Sequence, residues 1–199
     1  MKLNKISLWL IASITLIIVV FISCILSFNV GKSKGRYIAV DFSIEDVVED
    51  SEHKYSFLNK SLSDYICNLS AELGIDSDLV VSILMVENPE FNPDVMHKNI
   101  NGTIDCGLFQ LNDRYLWTTF KNSYWVDNVE LDPFNWKHNC FIAMHHLAYL
   151  QEKLKVNDEV VMAYNCGIGA VMNGDVPAST KVYLCKVKNN MVLLKGNAE

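Results

Sequence analysis

At residues 79–93 the chain reads LVVSILMVENPEFNP, an apolar run that is followed by a glutamate and two prolines. The run predicts a helix that is buried against other elements of the protein. Asp76 can accept backbone N–H bonds at the start of this helix. Pro89 ends it, because proline lacks an amide hydrogen and disfavours helical geometry in the residue before it. Glu87 is therefore predicted at the end of a mostly apolar helix.

The position of Glu87 suits acid catalysis. Apolar surroundings disfavour the charged form of a carboxyl group, which raises its pKa and lets it hold a proton near neutral pH. A general acid has this requirement. A single glutamate at a helix end is nevertheless usually a solvated surface residue, so the prediction depends on the other motifs of the chain.

From residue 61 onward the apolar periodicity of the chain is helical, and extended patterns are scarce. The predicted helices cover residues 62–73 before Gly74, 77–88, 132–154 with Pro133 in the first turn, 158–165 after a capping Asn157, and 179–194. Residues 97–107 are predicted to form a loop with a turn at Asn101 and Gly102. We expect a compact, mainly α domain.

The N-terminal part of the chain predicts a membrane anchor. Residues 6–28 are 23 consecutive residues without a charge, enough to cross a hydrocarbon layer of about 30 Å at about 1.5 Å per residue. We expect four segments: a short basic N-terminus at 1–5, a transmembrane signal anchor at 6–28, a linker or stalk at 29–60, and the helical domain at 61–199.

Two other interpretations of the apolar run stay open. A cleaved signal peptide has an apolar core of about 7–15 residues and a small-x-small cleavage site, whereas this run is longer and no such site follows it. A lipoprotein would be acylated at Cys24, because residues 21–24 loosely resemble a lipobox. Basic residues flank the run on both sides, so the positive-inside rule does not orient the chain.

The charge of the chain excludes some partners. After Arg36 the chain has 12 Lys and Arg residues against 23 Asp and Glu residues, a formal charge of −11. Such a domain should repel nucleic acid and anionic lipid rather than bind them. The chain also has no glycine-rich loop of the kind that cradles phosphate groups.

No metal site is predicted. The chain has six cysteines but no Cys-x-x-Cys pair, which argues against structural zinc, and any disulfide pairing stays open. His145 and His146 are adjacent, so they point about 100° apart on a helix. Residues 97–108 are similar to a calcium loop, but they lack the glutamate that such a loop has at its twelfth position.

Four short motifs follow one another along the domain: ENPEFNP at 87–93, CGLFQLN at 106–112, AYNCG at 163–167 and VPASTKVY at 176–183. In this order and spacing they resemble the soluble lytic transglycosylase family, which is related in fold to goose-type lysozymes. The resemblance covers about residues 62–187 and implies a lysozyme-like α-helical domain. One residue more than is common separates Glu87 from Phe91, which leaves the local loop geometry open.

The resemblance also implies roles for five residues. Glu87 resembles the catalytic acid and base, and Gln110 resembles a glutamine that lines the cleft near the scissile sugar. Tyr164 is implied to orient the carboxyl group of Glu87, Asn165 to contact the substrate, and Tyr183 to reach the same carboxyl group from the other side. No cofactor is implied.

The implied reaction is cleavage of the β-1,4 bond between N-acetylmuramic acid and N-acetylglucosamine in peptidoglycan, with closure of a 1,6-anhydro ring. Because peptidoglycan lies outside the cytoplasm, we expect the domain in the periplasm or at the outer face of a bacterial cytoplasmic membrane. A goose-type-lysozyme-like hydrolase is an alternative, and it would need a second carboxylate from Glu90, Asp94 or Asp105. Two further interpretations are an inactive peptidoglycan-binding module and a subunit of an envelope-spanning secretion, pilus or phage apparatus.

Overall fold

A computed structural model describes residues 53–117 and 131–196. These residues all belong to one of two compact units of the chain, and the fold below is that of this unit. The predicted anchor at 6–28 and most of the predicted stalk at 29–60 lie outside the described residues. Among the residues that are described, none of the helices is both long and apolar enough to span a membrane.

The described part of the chain is mainly helical, as predicted. Its helices are α1 (Lys60–Leu73), α2 (Ser77–Glu87), α3 (Trp136–Lys153), α4 (Asn157–Cys166), α5 (Ile168–Asn173) and α6 (Ala178–Gly196), with a π-helical turn at Asp113–Trp117. Three short strands, β1 (Met96–Lys98), β2 (Ile104–Cys106) and β3 (Leu111–Asn112), form an antiparallel sheet in the order β1-β2-β3.

Helix α2 begins where the sequence predicts and ends one residue earlier, at Glu87, whereas α1 begins two residues earlier than predicted, at Lys60, and ends at Leu73 as predicted. The side chain of Asn59 caps α1, which ends before Gly74 at a φ of 67°, a left-handed conformation that glycine adopts at little cost. The side chain of Asp76 caps α2 by accepting from the backbone N–H of Asp78. All residues from Leu79 to Leu84 are buried, and α2 packs most extensively on α6.

The core is formed by side chains from several helices and from the segment after β2. Its largest fully buried members are Phe109, Ile66, Ile83, Leu84, Leu108, Ile142, Met144, Leu147 and Leu150. Burial of an aliphatic or aromatic side chain of this size stabilises a fold by about 1.5–3 kcal/mol. The end of α2 is therefore held in place by the packing of residues Leu79 to Leu84 in the middle of the helix.

The packed fold begins before residue 61, where the predicted stalk was expected to end. Tyr55 and Leu58 are buried, with 2% and 5% of their surface exposed. The hydroxyl group of Tyr55 donates to the carboxylate of Asp78 at 2.7 Å. Residues 55–58 are thus attached to the start of α2 by packing and by a hydrogen bond.

Two predicted helix starts are wrong by a few residues. Helix α3 begins at Trp136 rather than Asp132, because the side chain of Asn135 accepts from the backbone N–H groups of Lys137 and His138 and so caps the helix there. Asn157 is the first residue of α4 and not its cap. Helix α5 was not predicted, because its six residues are too few for a periodic pattern.

The predicted loop at 97–107 is instead part of the small sheet. The turn at Asn101 and Gly102 lies between β1 and β2, where the backbone N–H of Gly102 donates to the carbonyl of Asn99 at 2.9 Å. Strands of three residues or fewer carry too little alternation to be recognised from sequence. These strands form because β2 pairs with both β1 and β3.

The end of β2 is attached to α3 by one side chain, that of Asn139, which is fully buried. Its amide donates to the carbonyls of Cys106 at 2.9 Å and Pro133 at 3.0 Å, and its Oδ1 accepts from the backbone N–H of Phe109 at 2.8 Å. Gly107 has a φ of 75°, and a Cβ atom there would clash with Asn139 and with the carbonyl of Pro133. Only glycine fits this close approach.

Candidate active site

Glu87 is the last residue of α2 and is half-buried. Burial raises the pKa of Glu87 from 4.5 to about 7, and the negative charge of Asp105 raises it as well, while a hydrogen bond from Tyr183 opposes the rise. The carbonyl end of a helix carries a partial negative charge, which acts in the same direction as burial. Near neutral pH the carboxyl group therefore exists in both its protonated and its ionised form.

Tyr183 is the direct partner of Glu87. Its hydroxyl group donates to Oε1 of Glu87 at 2.6 Å, although the two residues are 96 positions apart. The contact forms because α6 packs along α2, and Tyr183 lies on the buried side of α6 with 8% of its surface exposed. Burial and the charge of Glu87 raise the pKa of Tyr183 well above its usual value, so the hydroxyl group keeps its proton.

Tyr164 lies on α4, and the hydrogen bond of its hydroxyl group is made to a group other than Glu87. It donates to the backbone carbonyl of Phe109 at 3.1 Å, because the segment after β2 passes within its reach. Burial raises the pKa of Tyr164 well above its usual value, and the charge of Glu87 acts in the same direction. Tyr164 therefore holds the backbone next to Gln110 rather than the carboxyl group.

Asn165 lies at the surface near the end of α4. Its Oδ1 accepts from the hydroxyl group of Thr180 on α6 at 2.7 Å. This bond fixes the orientation of the amide, so that the Nδ2 donors point away from Thr180. Because Asn165 is exposed, its side chain is accessible to a substrate.

Gln110 has a φ of 47°, which is uncommon for a residue other than glycine. Its Nε2 donates to the carbonyl of Gly107 at 2.8 Å and to that of Val95 at 3.2 Å. Neither bond uses the Oε1 acceptor. In the described part of the chain, the hydrogen bonds of Gln110 and Asn165 go to groups other than Glu87.

The lengthened spacing after Glu87 forms a compact turn around Asn88, which is 2% exposed. The Asn88 amide donates to the carbonyl of Asn92 at 2.6 Å and accepts from the backbone N–H of the same residue at 3.2 Å. Phe91, within the turn, has a φ of 52°. The side chain of the buried Asn88 thus closes the turn through both backbone groups of Asn92.

Asp105, on β2, is the titratable neighbour of Glu87 whose role the sequence does not reveal. Its oxygens accept from the amides of Asn112 at 2.7 Å and Asn99 at 2.8 Å. The sequence offers it as a second carboxylate only together with Glu90 and Asp94, and does not distinguish among the three. Asn99 and Asn112, which bond to Asp105, lie on either side of it in the chain. Because residues 97–107 were predicted as a loop, the sequence did not predict these contacts.

The described residues contain neither a cluster of metal ligands nor a disulfide bond. Within 53–117 and 131–196, no cluster of three or more His, Cys, Asp or Glu side chains could hold a metal ion. The cysteines described there, Cys67, Cys106, Cys140, Cys166 and Cys185, are free thiols. Cys166, beside the site, is half-buried.

Comparisons with known proteins are consistent with this geometry. No curated protein matches the chain. Residues 64–180, more than half of the chain, match the family model described as the transglycosylase SLT domain. The match confirms the family that the four motifs predicted, and a mainly helical domain is consistent with its lysozyme-like fold. The chain therefore belongs to the transglycosylase SLT domain family.

Proposed function

We propose that this protein is a peptidoglycan lytic transglycosylase that cleaves the bond between N-acetylmuramic acid and N-acetylglucosamine and leaves a 1,6-anhydro end. The family is typically one of lytic transglycosylases, which are glycosidic-bond lyases. The observation that carries the proposal is the half-buried carboxyl group of Glu87, with a pKa raised to about 7. Such a group can give a proton and take one back at neutral pH.

The proposed reaction uses Glu87 twice. Protonated Glu87 gives its proton to the bridging oxygen, and the bond from the anomeric carbon to that oxygen breaks with its electron pair on the leaving sugar. Ionised Glu87 then takes the proton of the sugar's own 6-hydroxyl group, whose oxygen bonds to the anomeric carbon. The nucleophile belongs to the substrate, so the step needs neither water nor a cofactor.

The other candidate residues have roles that fit their contacts. The Tyr183 hydroxyl would stabilise Glu87 in its ionised form, because hydrogen bonds to a carboxylate favour the charged state. Asn165 and Gln110 would contact the glycan strand through the Asn165 Nδ2 donors and the Gln110 Oε1 acceptor. Tyr164 would keep the segment that carries Gln110 in place through Phe109.

Product analysis tests the proposal. The full chain, purified in detergent, is incubated with peptidoglycan beside its Glu87→Gln variant, and the sugar products are identified by mass spectrometry. We expect 1,6-anhydro-muropeptides from the parent and a loss of at least about 1000-fold in their rate of formation for the variant. Binding without any product from the parent would instead identify a peptidoglycan-binding module.

Hydrolysis is the second candidate, and Asp105 is the observation that favours it. A hydrolase of the lysozyme type uses a pair of carboxylates, and the charge of Asp105 acts on Glu87. The same mass spectra separate the two reactions, because water attack leaves a reducing end in place of the anhydro ring. Reducing ends as the main product would replace the transglycosylase assignment by that of a hydrolase.

We further propose that residues 6–28 hold the chain in a bacterial cytoplasmic membrane with the domain on the outer side, since peptidoglycan lies there. Acylation at Cys24 would give the same location. An alkaline phosphatase fused after Glu199 is active only outside the cytoplasm, so phosphatase activity is expected. An inactive fusion that is expressed in full would place the domain in the cytoplasm and remove peptidoglycan as a substrate. Co-purification with a secretion, pilus or phage apparatus would identify a machine that the enzyme serves.

A further inference from the structure

Helix α6 has two sides with different surroundings. Thr180, Tyr183 and Val187 are its buried residues, because this side packs on α2 and α4. Tyr183 is the hydrogen-bond donor to Glu87, so the buried side belongs to the candidate site. The opposite side is exposed along the length of the helix.

Apolar residues lie on the exposed side of α6. Val182, Val192 and Leu193 have 59%, 71% and 59% of their surface exposed, and Cys185 is exposed as well. At about 100° per residue, these four side chains lie within an arc of about 100° on the helix surface, with Asn189 between them. Singly exposed apolar residues are common on proteins, but a group of them on one helix face indicates a contact surface. We call these five residues the exposed face of α6.

Lysines border the exposed face of α6 on both sides. Lys181 and Lys186 are exposed, and they lie at its two edges, about 140° apart around the helix. Lys188 and Lys195 lie beyond Lys181 in the same direction. An apolar strip between lysines is typical of helices that lie in a membrane interface, where the apolar side chains enter the lipid and the ammonium groups reach the phosphates.

The charge of α6 differs from that of the rest of the domain. The helix contains four of the 12 Lys and Arg residues after Arg36 and none of the 23 Asp and Glu residues there. Among the ion pairs of the described residues, Lys188 binds Asp158 at 2.9 Å, whereas Lys181 and Lys186 take part in none. The net negative charge of the domain, which predicts repulsion of anionic lipid, therefore does not describe this surface.

We propose that the exposed face of α6 binds the surface of an anionic lipid bilayer. Val182, Val192 and Leu193 would enter the boundary between the headgroups and the acyl chains, and the lysines at both edges would bind lipid phosphates. The inference goes beyond the proposed cleavage reaction and does not depend on it.

The charge of the exposed face favours lipid over a second copy of this chain. If two copies of α6 met face to face, Lys181 and Lys186 of each copy would lie close to those of the other. The helix has no carboxylate side chain that could pair with them, so like charges would oppose the contact. A bilayer that contains anionic lipid supplies the opposite charge along the whole helix.

The contact would be weak by itself, because only a few apolar side chains are buried in it. The proposed anchor at 6–28 would keep the domain near the same membrane, which raises its effective concentration there. Tyr183, on the other side of α6, binds Glu87. The carboxyl group of Glu87 would therefore lie on the side of α6 that is turned away from the lipid.

Quenching of a fluorophore on Cys185 tests the proposal. Cys185 is the exposed thiol of the described residues, whereas Cys67 and Cys166 are half-buried, so a thiol reagent labels Cys185 first, and peptide mass spectrometry verifies the position. The full chain with Cys24→Ser is labelled in detergent and reconstituted into vesicles that contain a nitroxide-labelled lipid. We expect quenching at least about threefold stronger in vesicles of phosphatidylglycerol and phosphatidylcholine than in phosphatidylcholine alone, and the difference should disappear at high salt.

Two double variants separate the two parts of the contact. Lys181→Gln with Lys186→Gln removes the charge at the edges and should bring quenching in the anionic vesicles down to the level in phosphatidylcholine. Val192→Gln with Leu193→Gln keeps the charge but removes most of the apolar part, and it should lower quenching as well. All four residues are exposed, so the packed side of α6 is unchanged in both variants.

The matched control is Lys98→Gln with Lys155→Gln. These two lysines are exposed and lie outside α6, so the control removes the same charge from the domain without changing the exposed face. Quenching should stay at the parental level. A control that loses as much quenching as the α6 lysine variant would reduce the effect to net charge and contradict the proposal.

Two further outcomes would contradict the proposal, and a third would not. Equal quenching of the parent in the two kinds of vesicle would show that α6 does not bind anionic lipid. Fluorescence that changes with protein concentration in detergent, without quenching by lipid, would identify a second copy on the exposed face. A chain that binds lipid in this way but releases no cleaved glycan from peptidoglycan would contradict the proposed function alone.

Discussion

The helical side of the candidate site, formed by α2 and α6, and the strand side, formed by β1 to β3, hold their carboxyl groups by opposite means. Glu87 ends a helix with six consecutive buried residues from Leu79 to Leu84, and a single hydroxyl group donates to it. Asp105 lies among amide donors that are linked to one another. The surroundings of Glu87 therefore raise its pKa, whereas the carboxyl group of Asp105 is held in place by two hydrogen bonds.

The two sides also differ in how their stability is distributed. Apolar packing on the helical side is shared among many side chains, so that a small change in one of them is tolerated. The strand side depends on directional bonds, and a buried donor or acceptor that loses its partner costs about 1–3 kcal/mol. The clearest case is Asn139, a residue of α3 that holds the end of β2, because three such bonds meet in its fully buried side chain.

The largest expected effect is the loss of stability in Asn139→Ala. The change leaves the carbonyls of Cys106 and Pro133 and the N–H of Phe109 without their partner, which should lower the free energy of unfolding by about 3–5 kcal/mol. Chemical denaturation measures it. The matched change on the helical side, Ile83→Val, should cost only about 1 kcal/mol. Equal costs for the two variants would contradict the difference between the two sides.

Glu87→Gln is expected to raise the free energy of unfolding at alkaline pH, by somewhat less than Asn139→Ala lowers it. The pKa of Glu87 is raised from 4.5 to about 7, so the folded state retains a proton that the unfolded state has lost between these values. Folding stability therefore falls as the pH rises through this window, by up to about 3 kcal/mol in total. Glutamine does not titrate, so the variant should match the parent near pH 4 and exceed its stability near pH 8.

Denaturation curves at pH 4 and pH 8 check this prediction. Measuring Asp105→Asn beside Glu87→Gln compares the two regions directly. The amides of Asn99 and Asn112 each donate to one oxygen of Asp105, and asparagine keeps only one such oxygen. Neutralisation should then stabilise the helical side and destabilise the strand side. A Glu87→Gln variant that gains nothing at pH 8 would show that the carboxyl group is not buried as described.

The smallest expected effect is that of Tyr183→Phe. The hydrogen bond of Tyr183 lowers the pKa of Glu87, so its removal should raise that pKa above about 7 and move the alkaline limb of kcat/KM to higher pH. The ionised glutamate also loses a donor worth about 1.5–3 kcal/mol, which corresponds to a loss of about 10- to 100-fold in kcat. A limb that moves to lower pH would be incompatible with the donor role.

Prediction from sequence succeeded where the determining interactions are local. Asp76, Gly74 and Pro89 were read from the sequence as the signals that start α2 and end α1 and α2, and they act through neighbouring backbone groups. The start of α3 was placed too early because Pro133 fits a first turn, whereas the capping bonds are made by Asn135. The sheet was predicted as a loop because its strands are held by pairing between segments and not by their own pattern.

In the candidate site, too, contacts between distant segments were not predicted from sequence. The four motifs identify the family and the residues that belong to the site, and their order along the chain is enough for that. They did not predict that the Tyr164 hydroxyl binds the carbonyl of Phe109, nor that Asp105 acts on Glu87. Each of these contacts depends on the angle at which helices and sheet meet.

From the linear order of its residues alone, this chain specifies helices with defined ends, a glutamate at the end of an apolar helix, and membership of its family. Local propensities, caps and prolines act over a few residues, so they are already present in the sequence. The pKa of Glu87 is set elsewhere: burial raises it most, the hydrogen bond from Tyr183, 96 residues away, lowers it, and the charge of Asp105 on a paired strand raises it. Desolvation and charge interactions depend on distances in space, and those distances exist only once the helices and strands are packed.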